Sequence, residues 1–212
     1  MPVVRHPDPF NDPDWWFEPK WDGFRTLAYV SGHQCRFVSR RGHVYKSWPQ
    51  LQVELAHAVR CRTAVLDGEI VCLDREGRSH FYNLLFRRDR PYFMAFDLPA
   101  LDGIDLRGQR LTERKRLLRR IMPAAESRVR LVEHVPARGV DFFEAACRHD
   151  LEGIVAKWKD GTYQSGPRTS WLKIGNTEYS QRESRRQLFE ARRDRVLLRR
   201  TQSRVTPELA LI

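Results

Sequence analysis

Lys20 lies within Glu18-Pro19-Lys20-Trp21-Asp22-Gly23-Phe24-Arg25, a stretch that sets one amine among carboxylates, a guanidinium and a glycine. The chain has 38 basic residues, and only Lys20, Lys46, Lys115, Lys157, Lys159 and Lys173 are lysines. Where bulk positive charge serves, this sequence uses arginine. A lysine amine can lose its proton in a desolvated or cation-rich site and attack an electrophile, which a guanidinium cannot. Lys20 is therefore a candidate nucleophile. A surface lysine in a polar turn is the alternative, and eight residues alone leave both open.

Other chemistry-bearing groups follow along the chain. They fall in Ser39-Arg40-Arg41-Gly42, Asp67-Gly68-Glu69, Phe96-Asp97-Leu98, Glu152-Gly153-Ile154-Val155-Ala156-Lys157 and Ser170-Trp171-Leu172-Lys173-Ile174. Glu69 and Glu152 are hard oxygen donors, suited to Mg²⁺ or to ribose hydroxyls. Asp67-Gly68 reads equally as a hairpin turn. Phe96 is either a core aromatic or a flat platform for a purine. Arg25 and Arg40 can each grip a phosphate with two donors.

The pattern Lys-x-Asp-Gly-x-Arg, with the later segments in this order, resembles the covalent nucleotidyltransferases: ATP-dependent DNA ligases, RNA ligases and capping enzymes. The last two segments are most similar to the ligase domain of bacterial end-joining DNA ligases. The resemblance implies that Lys20 attacks the α-phosphorus of ATP, with Mg²⁺ or Mn²⁺, and that AMP passes to a 5′-phosphate before a 3′-hydroxyl seals the strand. It places Glu18 at the adenine edge, Phe96 against the base, Glu69 at the ribose or the metal, and Glu152 at the metal. Arg40 would meet the 5′-phosphate of the nick, with Arg41 as an alternative, while Arg25 and Lys173 would supply positive field around the amine. Trp21 and Phe24 are the candidates for its apolar wall.

Two departures stand out. The family's last motif reads Lys-x-Lys, whereas here it is Lys173-Ile174-Gly175, and Lys157 or Lys159 are the candidates to make up the charge. The OB domain that follows in full-length ligases is also not expected, because the residues after Gly175 are arginine-rich and helical in pattern. A helper protein could stand in its place. The alternatives are an RNA ligase or a degenerate, non-catalytic nucleic-acid-binding homologue.

Several elements must position these groups. Residues 1–13 read as an irregular lead-in, residues 14–180 as the adenylation domain and residues 181–212 as a basic, helical extension. Thr26–Val30 and Gln34–Ser39 predict a hairpin. Pro49–Val59 predicts a helix capped by Ser47. Strands are expected over Ala64–Leu73 (or a strand pair there), Pro91–Leu98, Val129–Val135, Glu152–Trp158 and Ser170–Ile174, and helices over Thr112–Ile121 and Val140–Cys147. This order lacks a repeated parallel crossover. The fold class is α+β, and the resemblance makes it a nucleotidyltransferase (ATP-grasp-like) domain of two mainly antiparallel sheets flanked by helices.

The formal charge of +11 and pI near 10.0 point to a polyanionic partner, nucleic acid ahead of a membrane, and the resemblance implies that this is nicked or broken duplex DNA. Arginine-rich composition without a binding role is the bland alternative. Cys35, Cys61, Cys72 and Cys147 show no metal-ligand spacing and read as small core residues in a reducing compartment, the cytoplasm.

Overall fold

The computed structural model describes residues 1–123, 127–164, 169–183 and 187. The chain separates into Met1–Tyr179 and Ser180–Ile212. The basic helix expected beyond residue 181 lies largely outside the described residues, as does part of the loop expected over 160–169.

Two sheets form the first unit. One is built from β1 (Val4–Arg5), β2 (Asn11–Pro19), β9 (Val135–Arg138), β10 (Gly153–Trp158) and β11 (Trp171–Gly175), in the order β1-β11-β10-β2-β9. The other contains β3 (Phe24–Ser31), β4 (Gln34–Ser39), β5 (Thr63–Val71), β6 (Tyr92–Leu101) and β7 (Ile104–Asp105), in the order β4-β3-β5-β6-β7, with β8 (Val129–Leu131) parallel to β6. Helices α1 (Pro49–Ala58), α2 (Phe81–Leu85), α3 (Leu111–Ile121) and α4 (Gly139–Arg148) flank the sheets. Among the described residues, every strand pairing apart from β1–β11 and β6–β8 is antiparallel.

Each sheet buries one face against helices. On β3 and β5, Ala28, Val30, Leu66 and Ile70 point into a core shared with Leu51 and Leu55 of α1 and Leu118 and Ile121 of α3. Their strand neighbours Arg25, Leu27, Asp67 and Glu69 face the other way, as the two-residue period of a strand requires. In the first sheet Phe17, Ile154, Ala156 and Ile174 pack with Ala146, Phe142 and Phe143 of α4. Glu18, Lys157, Trp171 and Lys173 alternate with those residues and so occupy the opposite face.

Three expectations need correction, and one choice between two readings is decided. β2 falls partly in the supposed irregular lead-in: its prolines argued against a strand, but a register shift between Asp12 and Trp16 takes up Pro13, and Pro19 ends the strand. The expected strand Val129–Val135 is two strands, because the chain leaves the second sheet after Leu131 and enters the first at Val135. Helix α1 is preceded by Trp48 in the left-handed region with no side-chain cap, so Ser47 does not cap it. Asp67-Gly68 is not a turn but lies inside one long strand. A Cβ at Gly68 would sit 2.5 Å from the Phe93 ring and 2.7 Å from the Met94 carbonyl oxygen, so close strand packing is what demands glycine there.

Candidate active site

Lys20 follows β2 directly, and its N–H donates to the Gly153 carbonyl (2.9 Å), extending the β2–β10 register by one residue. That register sets Glu152, just ahead of β10, beside Lys20, and the two side chains form an ion pair, each about one-fifth exposed (23% and 22%). Gly153 has a φ of 137°, and a Cβ there would lie 2.1 Å from the Ile174 carbonyl oxygen, so a bare backbone is required where β10 meets β11.

Glu69 lies on β5, in register with Arg25 on β3. Burial pushes its carboxyl up to about 8, against the pull of Arg25 and Lys20 and with added repulsion from Glu152 and Asp67. Lys20, Glu152 and Glu69 therefore share one electrostatic environment, to which each sheet contributes. Asp67, fully buried, takes two hydrogen bonds from the Arg25 guanidinium (3.1 and 2.6 Å) and one from the Tyr163 hydroxyl (2.7 Å). Burial works against the Asp67 charge, but these donors outweigh it and hold its carboxyl below the usual range. Arg25 is thus already neutralised by a carboxylate. Arg40 is exposed and lines a cavity of about 370 Å³ with Arg25, Ser39, Asp67 and Tyr163.

Glu18 is 2% exposed and holds two lysines: Lys157 Nζ at 2.5 Å from one oxygen and Lys115 Nζ at 2.5 Å from the other. Lys115 also donates to the Val132 carbonyl (3.0 Å). Burial brings the Lys157 ammonium down to about 8, although the adjacent Glu18 opposes the change. The same ammonium lies 4.0 Å from the Trp171 ring centre and 4.5 Å from that of Phe96, and the two rings meet edge to face at 5.7 Å. Phe96 is half-buried while Ala95 and Asp97 beside it are buried, so its ring is the part of this stretch of β6 open to the cleft.

The structure thus gathers Lys20, Glu152, Glu69 and Arg25 in one cluster and Glu18, Lys157 and Phe96 in another, with Arg40 at the edge of the first. Lys173 is exposed on the cleft face of β11. Phe24 does not wall the amine. It points to the opposite side of β3, against Tyr45, Trp48 and Phe81. Trp21 packs with Val71, Met94 and Val132. Sequence reasoning missed Lys115, Trp171 and Tyr163. The scarcity of lysine that singled out Lys20 applies equally to Lys115, whereas nothing in the sequence marks Tyr163.

The sequence model of the ATP-dependent DNA ligase domain matches residues 7–174. The chain belongs to that family. This ligase domain is 40% identical over 163 residues to the multifunctional non-homologous end joining DNA repair protein LigD of Mycobacterium tuberculosis, covering 75% of this chain and 21% of that protein. It is 33% identical to DNA ligase 1 of Korarchaeum cryptofilum over 176 residues, 76% of this chain and 32% of the relative. The chain therefore spans between about a fifth and a third of the length of these two relatives. Among solved structures, mycobacterial DNA ligase D complexed with ATP and MES superposes with a TM-score of 0.70 at 34% identity, covering 82% of this chain and 60% of that one. The Chlorella virus DNA ligase-adenylate, at 15% identity and a TM-score of 0.60 over 82% and 67% of the two chains, shares the fold.

The raised Glu69 carboxyl has a measurable consequence. Its folded value of about 8 lies above the ordinary 4.5, so the folded ligase domain binds this proton more tightly than the unfolded chain. Its contribution to stability is complete below pH 4.5 and is lost as pH rises toward about 8. Glu69→Gln should therefore melt above the wild type at pH 8, and the two should converge near pH 4.5. Thermal unfolding of both proteins across that range checks this, and parallel curves would show that Glu69 is not the titrating group.

Proposed function

We propose that this ligase domain is a catalytically competent adenylyltransferase core of an ATP-dependent DNA ligase. The observation that carries the reading is the juxtaposition of Lys20 with Glu152 and Glu69 in a cleft bordered by two sheets. Lys20 Nζ attacks the α-phosphorus of ATP: an N–P bond forms, the bond from the α-phosphorus to the bridging oxygen breaks, pyrophosphate leaves, and the amine proton passes to solvent. AMP then moves to a 5′-phosphate, and a 3′-hydroxyl displaces it to seal the strand.

Phe96, half-buried and open to the cleft, offers the base an aromatic face, braced edge-on by the buried Trp171 ring, while Glu18 lies behind that wall in the clasp of two lysines. No cluster of three or more acidic, histidine or cysteine ligands occurs among the described residues. Mg²⁺ needs none, since it commonly binds through one or two carboxylates plus substrate phosphates. Glu69 and Glu152 fit that description, and their mutual repulsion is what a cation would relieve. When bound there, Mg²⁺ would neutralise charge gathering on the phosphate oxygens. Arg40 and the overall charge of +11 supply the affinity for a broken or nicked duplex in a cytoplasmic setting, with any further domain or helper protein completing the grip.

A nick-sealing assay tests the proposal, run with ATP and Mg²⁺ and separately with a pre-adenylated strand, alongside labelling by α-labelled ATP. Acid-stable label on the protein and sealing in both arms are expected. Sealing of RNA nicks in preference to DNA nicks would redirect the substrate assignment. No label and no sealing in either arm would leave a nucleic-acid-binding homologue.

A further inference from the structure

Gly175 leaves one cation fewer than the Lys-x-Lys pattern, and the two lysines proposed to replace it are occupied elsewhere. Lys157 is buried on Glu18 (2.5 Å), and Lys159 pairs with Asp14 (2.7 Å) at the far end of β2. The short strand β1 offers a different cation. It runs parallel to β11 with Arg5 in register with Lys173, and the His6 N–H donates to the Lys173 carbonyl (3.0 Å). Residues in register project from the same face of a sheet, and neighbouring strands lie about 4.8 Å apart. Lys173 shares its face with Trp171, whose ring packs against Lys157 and Phe96, so Arg5 belongs to the cleft face as well.

Both Arg5 and Lys173 are exposed, and neither forms an ion pair with a described residue. Two cations side by side without a carboxylate repel one another and are relieved by an anion that bridges them. Gly175 lies two residues along β11 on that face, and a Cβ built there meets nothing within 4 Å. The gap beside Lys173 is therefore open rather than filled by packing.

We infer that Arg5 supplies the second cation for the triphosphate of ATP, in the place that Gly175 leaves without charge. The inference rests on the adenylyltransferase reading above. A guanidinium suits the task because its planar fork can hold two phosphate oxygens at once. In this domain the phosphate-binding pair would lie across two strands instead of along one.

The test compares wild type, Arg5→Ala, Gly175→Lys and the double variant for the rate of label transfer from α-labelled ATP, for ATP affinity by calorimetry and for melting temperature. Arg5→Ala should slow labelling and weaken ATP binding by about ten- to a hundredfold, the scale of one lost charge-assisted contact, with its melting temperature unchanged. Adding Gly175→Lys should restore most of the loss, which a purely structural role for Arg5 would not permit. Equal labelling in wild type and Arg5→Ala, or a loss that Gly175→Lys leaves untouched, would overturn the inference while the proposed activity stands. A wild type that neither labels nor binds ATP would overturn both.

Discussion

Lys20→Ala should remove all acid-stable label from the protein and lower ATP-driven sealing by at least about 10³-fold, the scale seen when a covalent nucleophile is deleted. Lys20→Arg should be equally inactive despite keeping the charge, because the guanidinium does not shed a proton to attack phosphorus. The chemistry predicts an asymmetry. In the proposed mechanism the amine takes part in forming and discharging the lysyl-AMP bond, but joining a pre-adenylated end requires only that the 3′-hydroxyl displace AMP. Sealing of a pre-adenylated nick should therefore survive in both variants at a rate far above their ATP-driven rate. Label persisting in Lys20→Ala would move the nucleophile to another side chain. Equal failure in both sealing arms would mean that the substitution disturbs the cleft, for instance by releasing Glu152.

Glu18→Ala should be the most destabilising single change in the site, costing about 3–5 kcal/mol, the range for a buried ion pair broken on one side. Glu18 neutralises Lys115 and Lys157, which are only 5% and 2% exposed, so its loss leaves two ammoniums buried without a counter-charge. Burial already brings Lys157 down to about 8 with Glu18 opposing it. Without that carboxylate Lys157 should release its proton near neutral pH, and the variant should recover stability as pH rises. Urea unfolding at several pH values measures this. Replacing all three residues together by apolar ones of similar size should cost far less than Glu18→Ala, because no buried charge is then left unpaired. A Glu18→Ala protein as stable as wild type would show that water reaches the lysines freely.

The sequence marked the residues gathered in the cleft more fully than the scaffold that gathers them. Lys20, Glu69 and Glu152 were legible because their types are what phosphoryl transfer needs, and because spacing and order matched a known pattern. The hairpin of β3 and β4 and helices α1, α3 and α4 followed from periodicity and glycine or proline punctuation. β2 did not, since Pro13 and Pro19 are local signals against a strand and the bulge that absorbs Pro13 is set by partners more than a hundred residues away. The two-residue β1 is too short to show any period, and only its partner β11 defines it. Phe24 was misplaced for a related reason: an octapeptide does not reveal which of two neighbours faces the cleft until the strand after Gly23 is known. The double clasp on Glu18 joins β2, α3 and β10, and no window of sequence contains all three.

The way the strands are drawn from the chain also bears on the order of assembly. The second sheet comes from one continuous stretch, Phe24 to Leu131, whereas the first unites β1 and β2 with β9, β10 and β11, pairing Arg5 with Lys173 across most of the domain. During synthesis the central sheet has every strand it needs well before the outer one does, and Lys20 emerges early with no partner for its strand. Closing so long a loop is entropically slow. The cleft consequently closes only after β10 and β11 arrive, and until then a ribosome-bound chain holds Lys20 without the strand that sets Glu152 beside it.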